Sequence, residues 1–293
     1  MPGSVCDFRA SVTRSPMAAD TMLAMNAPLL ADCLTRLCRS AAQVMQFEVV
    51  ALTGSTNTDL RARLPGLTKP VLLAAEQQTT GRGRAGRSWI DAAGDNLSFS
   101  LAWHFGGELG KVSGLSLAVG VLIAETLRAG GWDVSLKWPN DLLLDGRKLG
   151  GILIDTVSTR PGAWAIIGVG INVHPHPERD AAAGTDTASL ASDGVDRNAL
   201  LASLADGLAE GLPLFDLQGF TPFVPRWQAL HAYAGEAVDL IEGGRLVQQG
   251  IARGIDDMGC LLLDTRAGRI AVLAGDISLR KQPVSGTPHA LAD

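Results

Sequence analysis

The sequence predicts an α+β protein in which a larger unit of interleaved strands and helices is followed by a small β-barrel. Its 293 residues exceed one average domain and leave room for a sizeable core plus a smaller one. Between residues 47 and 173, aliphatic and aromatic strand patterns are interrupted by helical stretches. From Glu236 to Arg280, short strand patterns are broken by Gly-Gly, Met-Gly and Ala-Gly turns, the spacing of a small barrel.

Taken in order, residues 1–44 read as a leader with one helical stretch, Leu29 to Val44, and additional methionines at 17, 22 and 25. A strand from Phe47 to Leu52 runs into Thr53-Gly-Ser-Thr-Asn57, whose hydroxyl and amide groups suit the cap of a following helix. The strand Val71 to Ala75 feeds a loop rich in glycine and arginine, and Asn96 to Phe105 is the next strand. Ser113 to Ala129 is a strongly apolar helix stopped by Gly130-Gly131. Strands follow at Val134 to Trp138, Leu142 to Leu144 and Lys148 to Val157, with Asp145-Gly146 as a hairpin turn, and then at Ala163 to Val173. A helix from Asn198 to Leu212 puts Leu201, Leu204 and Leu208 on one face behind Asp196 as N-cap, and prolines at 213, 222 and 225 mark a boundary. The expected division is a leader at 1–44, a catalytic unit at 45–230, the barrel at 231–282 and a frayed tail at 283–293.

Composition narrows the function classes. Hydrophobic residues make up 46% and charged ones 19%, yet no apolar run is long enough to span a bilayer. Asp20, Asn26 and Asp32 interrupt any signal-peptide core near the N-terminus. Four cysteines without a Cys-x-x-Cys pair or companion histidines predict free thiols and a cytoplasmic location. Net charge is −5 and the arginines are scattered outside one loop, which speaks against a nucleic-acid surface. Only five of the 25 basic residues are lysines, so a lysine within a motif is notable.

That one loop is the densest chemical signal. Gln78 to Trp89 holds three glycines and three arginines before its closing indole. Gly81, Gly83 and Gly86 allow positive φ and close backbone approach, while Arg82, Arg84 and Arg87 offer forked donors for phosphate or carboxylate; the same composition also describes a solvated basic turn. Lys137-Trp-Pro-Asn-Asp141 halts a strand and follows it with an amide and a carboxylate. Asp141 reads either as a Mg²⁺ contact beside substrate phosphates or as ordinary turn chemistry. Lys148-Leu-Gly-Gly follows the hairpin turn, which places Lys148 either beside the same cavity or in solvent. Gly168-Val-Gly-Ile-Asn172 is a strand lightened by glycine, open to a ligand or to a bulge. Ser55, Thr56, Asn57 and Gln78 supply neutral donors and acceptors suited to a polar heterocycle, or helix caps. Gly106 to Lys111 is one residue short of a P-loop, His174 and His176 lack partner ligands for zinc, and no Gly-x-Ser-x-Gly elbow is present.

Gly54-Ser-Thr-Asn57, Gln78 with Gly81-Arg-Gly-Arg-x-Gly-Arg-x-Trp89, Lys137-Trp-Pro-Asn-Asp141, Lys148-Leu-Gly-Gly151 and Gly168-Val-Gly-Ile-Asn172 occur in this order, and together they resemble the motifs of biotin protein ligases. Thr187-Ala-Ser-Leu190 and Arg253-Gly-Ile-Asp256 resemble the family's later landmarks, so that the resemblance spans residues 47 to 280. It implies a catalytic domain of the class II synthetase and biotin ligase kind, with a mixed, mainly antiparallel sheet and flanking helices, and an SH3-like C-terminal barrel. It also implies an ATP- and Mg²⁺-dependent reaction. Biotin is activated as biotinyl-5′-adenylate and passed to a lysine of a biotin carboxyl carrier protein.

By that resemblance Ser55, Thr56, Asn57, Gln78, Gly81, Arg82, Gly83, Arg84 and Lys148 bind biotin. Arg84, Arg87, Trp89, Asn140, Lys148 and Asn172 bind nucleotide, and Lys148, Arg84 and Arg87 are catalytic. Some relatives add a DNA-binding domain or pair as homodimers; the short leader with no basic recognition helix predicts a monofunctional ligase without DNA or membrane partners, and a homodimer stays open. His231 stands where some relatives carry an acidic residue, which leaves the contact between the two units open. Lipoate or octanoate ligases and transferases share the implied fold and are the enzymatic alternatives, and a biotinyl-adenylate-sensing regulator is the alternative from another class.

Overall fold

The computed structural model describes residues 27–106, 113–159, 161–183, 187–190 and 194–282. The first part of the leader, the P-loop-like segment beyond Gly106, and the tail lie outside them.

A seven-stranded sheet forms the larger unit. Its strands are β1 (Gln46–Thr53), β2 (Val71–Gln78), β3 (Asn96–Phe105), β4 (Val134–Lys137), β5 (Asp141–Leu144), β6 (Arg147–Ser158) and β7 (Ala163–Asn172), in the spatial order β1-β2-β3-β7-β6-β5-β4. Only β1 and β2 run parallel; every other neighbouring pair is antiparallel, so the sheet is mixed and mainly antiparallel. Asp145 (φ 52°) and Gly146 (φ 73°) both take left-handed backbone at the β5–β6 turn, as a two-residue hairpin of the Asp-Gly kind requires.

The helices divide between the two faces. Helix α1 (Ala31–Leu37) opens the described chain, and α2 (Thr56–Arg63) follows β1. Leu60 of α2 packs with Val71, Leu73, Ala102, Trp164 and Ile166 in a small cluster. The main core lies around α3 (Leu115–Ala129), whose apolar side chains are buried almost all round. A short α4 (Pro177–Ala183) precedes α5 (Arg197–Gln218). A Cβ on Gly211 of α5 would lie 2.2 Å from Leu122 Cδ2, so glycine is what lets α5 approach α3 this closely. Asp196 caps α5, accepting from the amides of Asn198 and Ala199.

Two helix boundaries differ from the sequence reading, both for tertiary reasons. The leader helix ends at Leu37 because Cys38 is extended and the Arg39 amide donates to Asp206 Oδ1 at 2.8 Å, tying the chain to α5 instead of to its own next turn. Conversely, α5 continues through Pro213 to Gln218, since Leu212 and Phe215 are buried and Phe215 packs edge-on against Phe105 at 5.9 Å. Strand β2 also runs past Ala75 to Gln78, because Gln78 pairs with Thr53 across the parallel ladder.

After α6 (Val224–Ala229), strands β8 (Ala237–Glu242), β9 (Arg245–Ile255), β10 (Leu261–Thr265), β11 (Gly268–Val272) and β12 (Ile277–Lys281) form a five-stranded antiparallel sheet in the order β11-β10-β9-β8-β12. His231 ties α6 to the larger sheet: its backbone bridges Leu136 of β4, and its ring lies tilted against Trp227 with centroids 4.6 Å apart. Trp138 Nε1 donates to the Gly259 carbonyl, between β9 and β10, at 3.1 Å and so links the larger unit to the C-terminal sheet. No helix among the described residues is long and apolar enough to cross a membrane.

Candidate active site

The Gly/Arg loop is an ordered ribbon. Trp89 N–H donates to Gly81 O at 2.9 Å, Gly83 N–H donates to Arg87 O at 2.7 Å, and Arg82 bridges Ser88. Of the three glycines that allow positive φ, Gly86 takes it (71°), together with Ala85 (54°) at the tip, while Gly83 has φ −103°. Gly81 is needed for space: a Cβ there would meet the Trp89 carbonyl oxygen at 2.9 Å. Arg84 Nη1 donates to Asn140 Oδ1 at 3.2 Å, and its Nη2 donates to the Gly275 carbonyl beyond β11. Burial pulls the Arg84 pKa below its ordinary value, with the Arg87 charge acting in the same direction. Arg87 is exposed and reaches Ser278 Oγ of β12 at 3.4 Å. The loop is therefore held between the hairpin at Asn140 and the C-terminal sheet.

Behind the loop lies a neutral polar wall. Gln78 ends β2, and its Oε1 accepts from the Thr56 amide at 2.9 Å; this supplies the cap that Ser55 does not, since Ser55 sits at the N-cap position of α2 without a capping bond from its hydroxyl. Thr56 Oγ1 is 2.6 Å from Ser100 Oγ, and Ser100 donates to Asn57 Oδ1 at 2.6 Å. Asp91 accepts from both the backbone and the side-chain nitrogen of Gln78 at 3.2 Å, and Asp155 accepts from Asn57 Nδ2 at 3.2 Å.

Opposite is a cationic wall. The Trp138–Pro139 peptide is cis, and the chain then turns through Asn140 into β5. Lys137 Nζ lies 2.9 Å from Asp141 Oδ2, and Lys148 Nζ lies 2.6 Å from Asp141 Oδ1. Burial alone would raise the Asp141 pKa, but attraction to Lys148 and Lys137 and their hydrogen bonds outweigh it and hold the carboxyl at about 2. The reading of Asp141 as a Mg²⁺ contact therefore meets a carboxylate that is already paired on both oxygens. Both oxygens already neutralise ammonium groups, and a dication would have to displace two lysines. No cluster of three metal-ligating side chains occurs among the described residues.

Strand β7 forms the floor. Its glycines, which the sequence left open to a ligand or to a bulge, make room for the protein's own side chains: a Cβ on Gly168 would lie 2.3 Å from Asn57 Oδ1, and one on Gly170 would lie 2.4 Å from Trp89 Cζ2. Trp89 Nε1 donates to Ser98 Oγ at 3.2 Å. Asn172 is only 1% exposed, and its amide donates to Ala188 O at 2.9 Å and Lys148 O at 3.4 Å. It thereby fastens the Lys148 strand to the Thr187–Leu190 segment, which itself bridges Lys148 through Thr187.

These walls enclose a cavity of about 960 Å³, within the range of small-molecule sites, lined by every expected site residue except Gly81. A second opening of about 1030 Å³ adjoins it, sharing Ser55, Asn57 and Arg84 and extending toward Asp155, Leu273 and Asp276. Sequence reasoning missed Asp91, Ser100 and Asp155, whose partners lie 13, 43 and 98 residues away in the chain. It also missed Arg179, 5% exposed, which holds Asn96 Oδ1 and His174 O at 3.0 Å each, and the contribution of Tyr233, Ser278 and Lys281 from the C-terminal unit.

Residues 49–172 match the biotin/lipoate A/B protein ligase family, and residues 233–280 match the biotin protein ligase C-terminal domain. The bifunctional ligase/repressor BirA of Escherichia coli is 39% identical over 236 residues, covering 79% of this chain and 73% of its own. The biotin–[acetyl-CoA-carboxylase] ligase of Paracoccus denitrificans is 33% identical over 242 residues, covering 78% of this chain and 98% of its own. Among solved structures, the biotin protein ligase from Aquifex aeolicus in complex with biotin and ATP superposes with a TM-score of 0.67 at 27% identity, over 81% of this chain and 99% of that one.

Proposed function

Given that the chain belongs to the biotin/lipoate A/B protein ligase family, we propose that it is an ATP-dependent biotin protein ligase, which activates biotin as biotinyl-5′-adenylate and transfers it to a lysine of a biotin carboxyl carrier protein. The observation that supports this most directly is the pairing of walls across one cavity: neutral amides and hydroxyls at Ser55 to Asn57 and Gln78, and cations at Lys148 and Arg84. A neutral heterocycle suits the first wall, and a carboxylate meeting a phosphate suits the second.

In the first step a biotin carboxylate oxygen forms a bond to the α-phosphorus of ATP as the bond to pyrophosphate breaks. Two anions must approach, so the chief requirement is charge stabilisation and alignment. Lys148 supplies a compact ammonium, held in place by Asp141. Arg84 and Arg87 close the loop over the reacting groups, and Trp89 offers its indole to the adenine. In the second step the carrier lysine's amine attacks the biotinyl carbonyl and AMP leaves with the bonding pair. A loop fastened at Asn140 and Gly275 shields the mixed anhydride from water in the interval. The residues around Asp141 do not suit Mg²⁺, and the metal of the reaction is assigned to the nucleotide's own phosphates and water, ligands that Mg²⁺ accepts. Free thiols at Cys33, Cys38 and Cys260 accord with a reducing, cytoplasmic setting.

The reading is tested by incubating the purified protein with apo carrier protein, Mg·ATP and biotin, lipoate or octanoate in parallel, followed by intact-mass measurement. A mass gain of one biotinyl group on the carrier lysine, with biotin alone, supports the proposal. Modification by lipoate or octanoate in place of biotin contradicts it.

A further inference from the structure

We propose that Asp91 and Asp155 are positioning residues for substrate recognition: each clamps the amide nitrogen of a side chain in the polar wall, and together they fix the direction of every hydrogen bond between them. The inference rests on the assignment of this cavity to biotin.

The Gln78 backbone N–H can only donate, so Asp91 Oδ2 is an acceptor, and the Gln78 side chain turns its NH₂ toward that oxygen (3.2 Å) and its own oxygen toward the Thr56 amide (2.9 Å). At the other end, Asn57 must turn its NH₂ toward Asp155 (3.2 Å) and its oxygen toward Ser100 (2.6 Å). Ser100 has one proton and gives it to Asn57. The 2.6 Å contact between Ser100 and Thr56 then needs the Thr56 proton, although Gln78 Oε1 also lies 3.1 Å from that hydroxyl. Every proton from Asp91 to Asp155 is thus assigned.

With either carboxylate removed, the adjacent amide loses its closer acceptor and keeps one backbone partner, the Thr56 N–H (2.9 Å) for Gln78 Oε1 and the Leu153 carbonyl (3.4 Å) for Asn57 Nδ2, so the amide turned by half a turn gains population. A rotated Gln78 sets NH₂ against the Thr56 N–H, and a rotated Asn57 sets NH₂ against the Ser100 proton and reverses the hydroxyls. The wall would then present a mixed pattern to the ligand. Fixed dipoles are what distinguish a ureido ring, with its carbonyl and two N–H groups, from an aliphatic acid that carries none. Asp91 also accepts from the Gln78 backbone N–H, so it holds the whole residue, and its second oxygen is buried without a partner, leaving the Gln78-facing oxygen as the engaged one.

The test is steady-state adenylation, followed by ATP–pyrophosphate exchange, for wild type, Asp91→Ala, Asp91→Asn, Gln78→Ala and the Asp91→Ala/Gln78→Ala double variant, with thermal melts to establish folding. Asp91→Ala should raise the KM for biotin about tenfold, the effect of one or two mispaired hydrogen bonds, with little change in kcat or in the KM for ATP. Asp91→Asn keeps an acceptor oxygen for Gln78 and should restore most of the loss. In the Gln78→Ala background the Asp91→Ala change should add nothing. Asp155→Ala should act in the same way from the other end, and it carries the test should Asp91→Ala fail to fold. An unshifted biotin KM in a folded Asp91→Ala protein, or multiplicative effects of the Asp91 and Gln78 changes, overturns this inference alone. Absence of biotin-dependent exchange in the wild type overturns the biotin assignment and this inference together.

Discussion

Asp141 holds Lys148 Nζ at 2.6 Å with one carboxylate oxygen and Lys137 Nζ at 2.9 Å with the other. The trio carries one net positive charge, and Lys148, its more exposed member, points that charge into the cavity. Lys148→Met should therefore fold with near-normal thermal stability and bind biotin, yet lose roughly 10²–10³-fold in adenylation rate, the usual consequence of deleting one charge-stabilising donor. Single-turnover adenylate formation measures this, and an unchanged rate would remove Lys148 from the mechanism.

Gly168 and Gly170 offer a separable pair. Gly168→Ala must displace Asn57, whose Oδ1 would stand 2.3 Å from the new methyl, whereas Gly170→Ala must displace the Trp89 ring, 2.4 Å away. The first should raise the KM for biotin and the second the KM for ATP, each by roughly tenfold. Initial rates with each substrate varied in turn report the split, and kinetics identical to wild type in both variants would contradict it.

Arg84 links the loop to Asn140 and to Gly275 at once. Arg84→Ala should loosen the loop and release the adenylate to water, raising biotin-dependent AMP formation without carrier by about tenfold. Arg84→Lys should not rescue it, since a single ammonium cannot serve two acceptors on either side of a planar fork. Equal adenylate lifetimes in all three proteins would contradict this.

His231 is 8% exposed, neither ring nitrogen has a partner, and burial pushes its pKa down from 6.5 to about 4. Between those values the unfolded chain binds a proton that the folded chain refuses. Stability is complete above pH 6.5 and falls as the pH drops toward 4, by at most about 3 kcal/mol. His231→Leu should flatten that dependence. Urea unfolding of both proteins across pH 4 to 7.5 checks it, and parallel curves would show that the ring is not protonated on unfolding.

The strands were legible because their apolar alternation and turn chemistry are local: Asp145-Gly146 fixes one hairpin and Asp196 caps α5 from within its own segment. What was not legible depends on partners far along the chain. Asp206 ends the leader helix by taking the Arg39 amide, and aromatic packing at Phe215 carries α5 through Pro213. In the site, residues in dense motifs drew notice from spacing. Asp91 and Asp155 did not, since a lone aspartate looks the same whether it faces solvent or clamps an amide elsewhere in the chain. Asp141 drew notice as a carboxylate beside a phosphate loop, and pattern alone does not reveal that two lysines pair with it.

Biotin-dependent ATP–pyrophosphate exchange with the purified protein, with lipoate and octanoate as parallel acids, tests the central claim most directly because it reports adenylate formation without a carrier. The account predicts exchange with biotin alone, reduced at least a hundredfold in Lys148→Met. A folded protein that exchanges with none of the three acids, or with lipoate in preference to biotin, would contradict it.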